Sequence, residues 1–203
     1  MKLTTAYYQH TDVVALAPTF LGKVLVTVID GELTSGVITE VEAYAGVNDK
    51  ACHAHMKKVT ARNIVMYEPG GCLYAYLCYG IHTLMNIVTN QANQADAVLI
   101  RGIEPVDGLA VMEQRRGKTS GRDFANGPGK LSQALGASPA LTGMSLQSDV
   151  VWLEDRGIEP PTDFQKLKRV GIDYAGEDAN LLWRFKVNTL FGERGHKAWC
   201  NKL

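Results

Sequence analysis

Cys72-Leu73-Tyr74-Ala75-Tyr76-Leu77-Cys78-Tyr79 and Ile81-His82-Thr83-Leu84-Met85-Asn86-Ile87-Val88 meet at Gly80 alone, and this stretch decides the fold. Two runs rich in aromatic and β-branched residues, closed tightly at Tyr79-Gly80, read as an antiparallel hairpin. Alternation puts Tyr74 and Tyr76 on one face and leaves Tyr79 beside the turn glycine. Upstream, residues 25–29 alternate as a strand, Asp30-Gly31-Glu32 makes a turn, and residues 33–44 return as the antiparallel partner. Within that return, Gly36-Val37-Ile38-Thr39-Glu40-Val41-Glu42-Ala43-Tyr44 is predicted to carry Ile38, Glu40, Glu42 and Tyr44 on a single face.

Further outward, Thr11-Asp12 caps a short helix over residues 13–17, punctuated by Pro18 and Gly22. Residues 45–71 lack periodicity and carry Gly46, Asn48, Asp49, Pro69, Gly70 and Gly71, the pattern of a long loop with at most a short helix. Ala97-Val98-Leu99-Ile100 is a buried strand ending on Arg101. Residues 105–116 read as a helix with proline in its first turn and Gly117 just past its end. Gly127-Pro128-Gly129 precedes a short helix through Leu131, Ala134 and Leu135 that Gly136 stops. Strands around Val150-Val151-Trp152-Leu153 and Leu182-Trp183-Arg184-Phe185 complete a region rich in Pro139, Pro160 and Pro161. There is no internal repeat and no linker. The expectation is an α+β fold: one mixed domain over residues 1–203, with a mostly antiparallel curved sheet, a protruding β-hairpin and flanking helices.

Composition narrows the class. A chain of 203 residues that is 46% hydrophobic can build a real core. The first residues lack a basic region followed by an apolar stretch, and no run of about 18 apolar residues could span a bilayer, so a soluble intracellular protein is expected, cytoplasmic or nucleoid-associated if prokaryotic. Cys52, Cys72, Cys78 and Cys200 show no C-x-x-C pairing and read as reduced, mostly buried thiols. Net charge is zero, but residues 51–130 hold 9 basic and 6 acidic side chains while residues 1–50 hold 3 and 6. Lys57, Lys58, Arg62, Arg115, Arg116, Lys118, Arg122 and Lys130 supply the local excess, either a solvated face or a patch able to meet nucleic acid.

Familiar motifs fail. Gly117-Lys118-Thr119 lacks the glycine a phosphate loop needs five residues earlier, where Met112 stands, and Gly129-Lys130 is followed by Leu131. Cys52-His53-Ala54-His55 has no second ligand cluster at a recognised spacing, so no metal and no cofactor are expected. A stronger constellation is Glu42, Tyr44, His53, Tyr76, Asn86 and Arg101, drawn from segments whose patterns bury them. An unsatisfied Asn86 amide would cost about 1–3 kcal/mol, so it needs a partner. Arg101 at the end of an apolar strand also needs one, with Glu42 the candidate carboxylate. Such a set serves either as a structural ion pair beside core tyrosines or as a slot that stacks a flat ring and activates water against it.

The strings Glu40-Val41-Glu42-Ala43-Tyr44, Ala51-Cys52-His53, Arg62-Asn63 with Met66, Leu73-Tyr74-Ala75-Tyr76 with Tyr79-Gly80, Met85-Asn86-Ile87, Val98-Leu99-Ile100-Arg101 with Glu104-Pro105, Gly127-Pro128-Gly129-Lys130-Leu131 and Arg169-Val170-Gly171-Ile172 resemble, in that order, the alkyladenine (3-methyladenine) DNA glycosylase family. The resemblance spans residues 22–185. It implies that Glu42 is the general base for a water attacking C1′ of an extruded nucleotide, with Arg101 and the backbone of residues 170–172 helping to hold that water. It implies a base pocket of Tyr44, His53, Tyr76, Asn86 and Leu99, in which Tyr44 stacks on the base, the His53 amide bonds its edge and Asn86 excludes the 2-amino group of guanine. Tyr79 would wedge into the duplex, and Arg62 and Lys130 would touch phosphates. The implied partner is double-stranded DNA carrying damaged purines, acted on by a monomer that hydrolyses without strand cleavage, since no lysine falls at an aligned catalytic position. Two other classes stay open on the residues themselves: a non-catalytic nucleic-acid module, which has no use for a buried carboxylate, and a hydrolase of free nucleosides, which has no use for Tyr79.

Overall fold

The computed structural model describes residues 1–121, 123–158 and 163–187; Arg122, Pro160, Pro161 and Cys200, named above, lie outside the described residues. Among the described residues, eight strands form one antiparallel sheet: β1 (Val24–Ile29), β2 (Glu32–Tyr44), β3 (Leu73–Cys78), β4 (His82–Thr89), β5 (Asp96–Pro105), β6 (Val151–Glu154), β7 (Phe164–Leu167) and β8 (Arg184–Val187). The spatial order is β3-β4-β5-β2-β1-β6, with β8 branching from β2 and β7 pairing with β8. Flanking it among the described residues are four α-helices: α1 (Thr5–Tyr8), α2 (Val13–Leu16), α3 (Leu109–Arg116) and α4 (Pro128–Ala134). This is the α+β sheet with a protruding hairpin that the alternation predicts.

Local chemistry explains the ends of the elements. Asp12 accepts from the Val14 and Ala15 amides at 2.9 and 3.0 Å and so caps α2. The β3–β4 hairpin closes through Tyr79 (φ 50°) and Gly80 (φ 71°), with the Ile81 amide donating to the Cys78 carbonyl. Both central residues are left-handed, which matches the twist of the flanking strands. At the root Leu73, Ala75, Met85 and Ile87 are buried, whereas at the tip Tyr79 is 91% exposed and Ile81 72%. Gly129 in the first turn of α4 is a close approach: a Cβ there would stand 2.7 Å from His82 Cγ. Its absence lets α4 lie against β4.

Three expectations are corrected. The strand through Ala97 does not end on Arg101 but runs to Pro105, and the following helix begins only at Leu109, after a left-handed Gly108. Pro105 therefore closes a strand instead of opening a helix. The phase of β2 also changes: Val41 pairs with Ile100, Glu40 with Gly102 and Ile38 with Ile103, so Arg101 on β5 and Thr39 on β2 are both skipped. A residue skipped on each strand reverses the facing pattern. Ile38 accordingly joins Val41 and Ala43 in the main core, and does not share a face with Glu40, Glu42 and Tyr44. Finally, Cys52 is buried, but Cys72 and Cys78 are only half-buried.

Each face of the sheet has its own role. One packs Leu73, Ala75, Met85, Ile87, Val98, Ile100, Val41 and Ala43 against Tyr8, Phe20, Met112, Leu131 and Leu135 from the helices and loops. The other is covered in part, by the loop of residues 45–71 with its short 3-10 turns, which contributes Cys52, Ala54, Val65 and Met66 against Tyr74, Val88 and Ala97, and by Ile172 and Ala175 beside Tyr44. The uncovered remainder of that second face is a cleft.

Candidate active site

Strand alternation delivers Tyr74 and Tyr76 from β3, Leu84 and Asn86 from β4, Leu99 and Arg101 from β5, and Glu40, Glu42 and Tyr44 from β2 to this second face. The cleft has a volume of about 670 Å³ and is lined by Tyr44, His53, Arg62, Tyr76, Tyr79, Asn86, Leu99, Arg101 and Lys130 among others. Nine of the ten residues named from the sequence thus meet in one place. Glu42 is the tenth, fully buried behind the lining.

The Glu42 carboxylate is held from three sides. Its Oε1 accepts the Val170 amide at 2.8 Å and lies 3.4 Å from Arg101 Nε, while Oε2 accepts the Tyr44 hydroxyl at 2.8 Å. Burial pushes its pKa above the ordinary carboxylate value, more than the Arg101 charge, the Val170 amide, the Tyr44 hydroxyl and Arg184 bring it down. Burial, then the Glu42 charge, drives the Tyr44 hydroxyl well above its usual range, so Tyr44 remains a donor. A carboxylate with a raised proton affinity beside a cleft has the character of a general base.

Arg101 is shared. It forms the ion pair with Glu42 expected from the sequence, 3.4 Å from Nε, but its closer hydrogen bond, 3.0 Å from the same Nε, goes to Glu40 Oε1. Glu40 also takes Arg184 Nη1 at 3.1 Å on Oε1 and Lys186 Nζ at 3.1 Å on Oε2. The Arg101 carbonyl accepts the Gly127 amide at 2.8 Å, part of a bridge of Gly102 to Asn126 that ties this part of β5 to the loop before α4.

Elsewhere in the cleft, His53 Nδ1 lies 2.9 Å from the Tyr74 hydroxyl and His53 Nε2 lies 3.4 Å from Arg62 Nη2. An arginine can only donate, so Nε2 accepts and Nδ1 carries the proton. Burial, then the charges of Arg62 and Lys58, lowers the His53 pKa to about 4, so the ring is neutral at physiological pH. Its ring stands edge-on to Tyr76 at 4.8 Å between centroids. Arg62 rests 5.2 Å over the Tyr76 ring, part of the wall as well as an exposed cation. Asn86 finds the partner its burial demands, donating to the Tyr74 carbonyl at 3.1 Å. Tyr79 stands at the hairpin tip and Lys130 is exposed at the rim.

Several residues here escape sequence reasoning. Arg169 forms a fully buried ion pair with Asp49 and donates to the Ala43 carbonyl at 3.0 Å. Its guanidinium sits 4.8 Å behind the Tyr44 ring and 5.0 Å from Trp183, so it backs the tyrosine and fixes the segment that offers the Val170 amide. Partners 120 residues apart leave no local signal. Glu40 could have been flagged, since a second carboxylate two residues before Glu42 on one strand must share its face. Among the described residues no group of three His, Cys, Asp or Glu side chains is arranged to hold a metal, and no helix is long and apolar enough to cross a membrane.

Tyr44, His53 and Tyr76 line one cleft, with the restrained Glu42 carboxylate buried beside it, an arrangement whose aromatic faces are able to stack on a flat ring. The family model described as Methylpurine-DNA glycosylase matches residues 6–190. Among curated relatives, a protein of Chlorobaculum tepidum is 44% identical over 185 residues, 91% of this chain and 87% of its own. One from Chlamydia felis is 43% identical over 188 residues (92% and 96%), and one from Clostridium acetobutylicum 40% over 195 (92% and 94%). All three carry the name "Putative 3-methyladenine DNA glycosylase". The chain belongs to the methylpurine-DNA glycosylase family, a family of DNA-repair glycosylases.

Proposed function

We propose that this protein flips alkylated or deaminated purines out of duplex DNA and hydrolyses the N-glycosidic bond with a water activated by Glu42, leaving an abasic site. The observation that carries the reading is the Glu42 carboxylate, buried, restrained on both oxygens and set behind an aromatic slot. In this reading the extruded base slides between Tyr44 on one side and His53 and Tyr76 on the other. Stacking contributes roughly 1–3 kcal/mol per base, and a cationic methylated purine gains further from the tyrosine π-faces. Leu99 and Asn86 form the floor. Tyr79 fills the gap in the stack, while Lys130 and Arg62 meet the backbone.

An oxocarbenium-like sugar develops as the bond to the base breaks, so one carboxylate can both stabilise the positive sugar and take the proton of the attacking water. Glu42 has no exposed surface, so the water reaches it through a small shift of the side chains that cover it as the nucleotide is seated. Arg101 and the Val170 backbone then hold it against Oε1. The damaged purine leaves as the departing group and the sugar keeps the hydroxyl. No amine takes part in this step, so the DNA strand stays intact and the enzyme is monofunctional.

The test is incubation with methylated duplex DNA, mass spectrometry of free purines and alkaline cleavage to count abasic sites. Release of 3-methyladenine or 7-methylguanine with stoichiometric, alkali-labile abasic sites is expected. Release that undamaged duplex fails to compete, or release from free nucleosides at a comparable rate, would overturn the reading.

A further inference from the structure

The cluster around Glu40 contains a buried acid that the proposed chemistry does not use. Glu40 is 4% exposed and gathers three cations from two strands: Arg101 of β5, and Arg184 and Lys186 of β8. Among the described residues strand β8 pairs with β2 at Glu40, Val41 and Glu42, so its contact with the sheet centre includes this cluster. We propose that Glu40 is a positioning residue for the reaction: by taking the closer hydrogen bond from Arg101 Nε, it holds the guanidinium short of a full ion pair with Glu42 and leaves that carboxylate free to act on a water. The inference rests on the reading of Glu42 as the base.

Geometry supports this division. One Nε–H cannot serve two carboxylates equally, and its 3.0 Å bond to Glu40 against 3.4 Å to Glu42 shows which one holds it. The proton affinities agree: burial works to raise Glu40, yet the hydrogen bond and charge of Arg101 and then Lys186 take it below the usual range, whereas Glu42 stays above. A base stripped of its partner is a better base, and a carboxylate closed onto arginine is a poorer one. Every charged or titratable group around Glu42 fits the scheme. Tyr44 donates from β2, Arg101 is restrained on β5, Arg184 and Lys186 are engaged by Glu40 from β8, and Arg169 is engaged by Asp49 behind Tyr44. Elsewhere in the cleft His53 is neutral.

The experiment is the pH profile of single-turnover release of 7-methylguanine, a leaving group already cationic, from duplex DNA at saturating enzyme. In Glu40→Gln the neutral amide keeps an acceptor but loses the charge that draws Arg101, so the guanidinium shifts toward Glu42. The acid limb is expected to move down by about 0.5–1 pH unit and the plateau to fall roughly three- to tenfold. Lys186→Met, which removes a competitor for Glu40, is expected to move the limb the other way and guards against a Glu40 variant that fails to fold. A Glu40→Asp variant should restore part of the wild-type midpoint. A lower plateau with an unmoved midpoint in both variants marks a merely structural role and overturns the inference, as does an upward shift in Glu40→Gln. A wild type that releases no base overturns the reading of Glu42 and this inference with it, a result distinct from either.

Discussion

Glu42→Gln separates chemistry from structure because the surroundings of the carboxylate survive it. Glutamine keeps the shape: its carbonyl can accept the Val170 amide now bonded at 2.8 Å, and its amide can meet the Tyr44 hydroxyl, which turns from donor to acceptor. Arg101 keeps its 3.0 Å bond to Glu40, so no buried cation is stranded. Losing an ion pair and relieving the cost of a buried charge oppose one another, and the net change in stability should stay within about 1–2 kcal/mol. A glutamine cannot take a proton from water, and general-base catalysis is worth about 10²–10⁴-fold, which at 1.36 kcal/mol per tenfold is about 2.7–5.4 kcal/mol of barrier. The assay is single-turnover release of 7-methylguanine at saturating enzyme, beside binding to duplex with a stable abasic analogue and a thermal melt. The expected triad is release down at least a hundredfold, binding within about threefold and a melt near wild type. Release within tenfold of wild type refutes the mechanism outright.

Tyr79→Ala removes the 91% exposed ring from the hairpin tip while keeping a Cβ on the left-handed backbone, so the fold should be untouched. Lesion capture should weaken roughly fivefold to a hundredfold, the loss of one stacking contact, with the rate at saturation little changed; a rate that falls as far as the affinity contradicts the wedge. Lys130→Ala should lower affinity for all sequences and flatten the plot of log affinity against log salt by about one unit of slope. An unchanged slope means no phosphate contact there. His53 has a folded pKa of about 4 against about 6.5 when unfolded, so the unfolded chain takes up a proton first as pH falls. Its contribution to stability is complete above pH about 6.5 and is lost between there and about 4, about 1–2 kcal/mol once its partial exposure is discounted. An imidazole NMR titration for His53 with a midpoint near 6.5 rules this out.

What the sequence made legible was whatever repeats at short range. Period-two alternation placed Tyr74 and Tyr76, the Tyr79-Gly80 pair placed the hairpin turn, and Asp12 marked its helix. Two things resisted. Strand β7, four residues with Lys166 and Gln165 exposed, has no apolar face to announce it and exists by pairing with β8. The double bulge at Thr39 and Arg101 is a matter of registry between strands about 60 residues apart, and neither strand alone carries its signature. The candidate site followed the same division: side chains on strands came with their faces, whereas the Arg101–Glu40 bond and the Asp49–Arg169 pair depend on which strands and loops become neighbours.

That bulge explains how one sheet serves both as a core layer and as the wall of a cleft. Without it, β2 would carry Ile38 on the same face as Glu40 and Glu42, and either an isoleucine would line the polar cluster or the acids would enter the main core. Skipping Thr39 lets Ile38, Val41 and Ala43 all face the helices while Glu40, Glu42 and Tyr44 face the cleft. On the partner strand Arg101 keeps the face that alternation from Leu99 gives it, so its guanidinium lies near both acids while its carbonyl accepts the Gly127 amide. Two acids and three cations in so small a space are no aid to stability, since well-packed apolar side chains of equal volume would hold the sheet as well or better. Their presence at the one place where β2, β5 and β8 converge is therefore best explained by what the cluster does to Glu42.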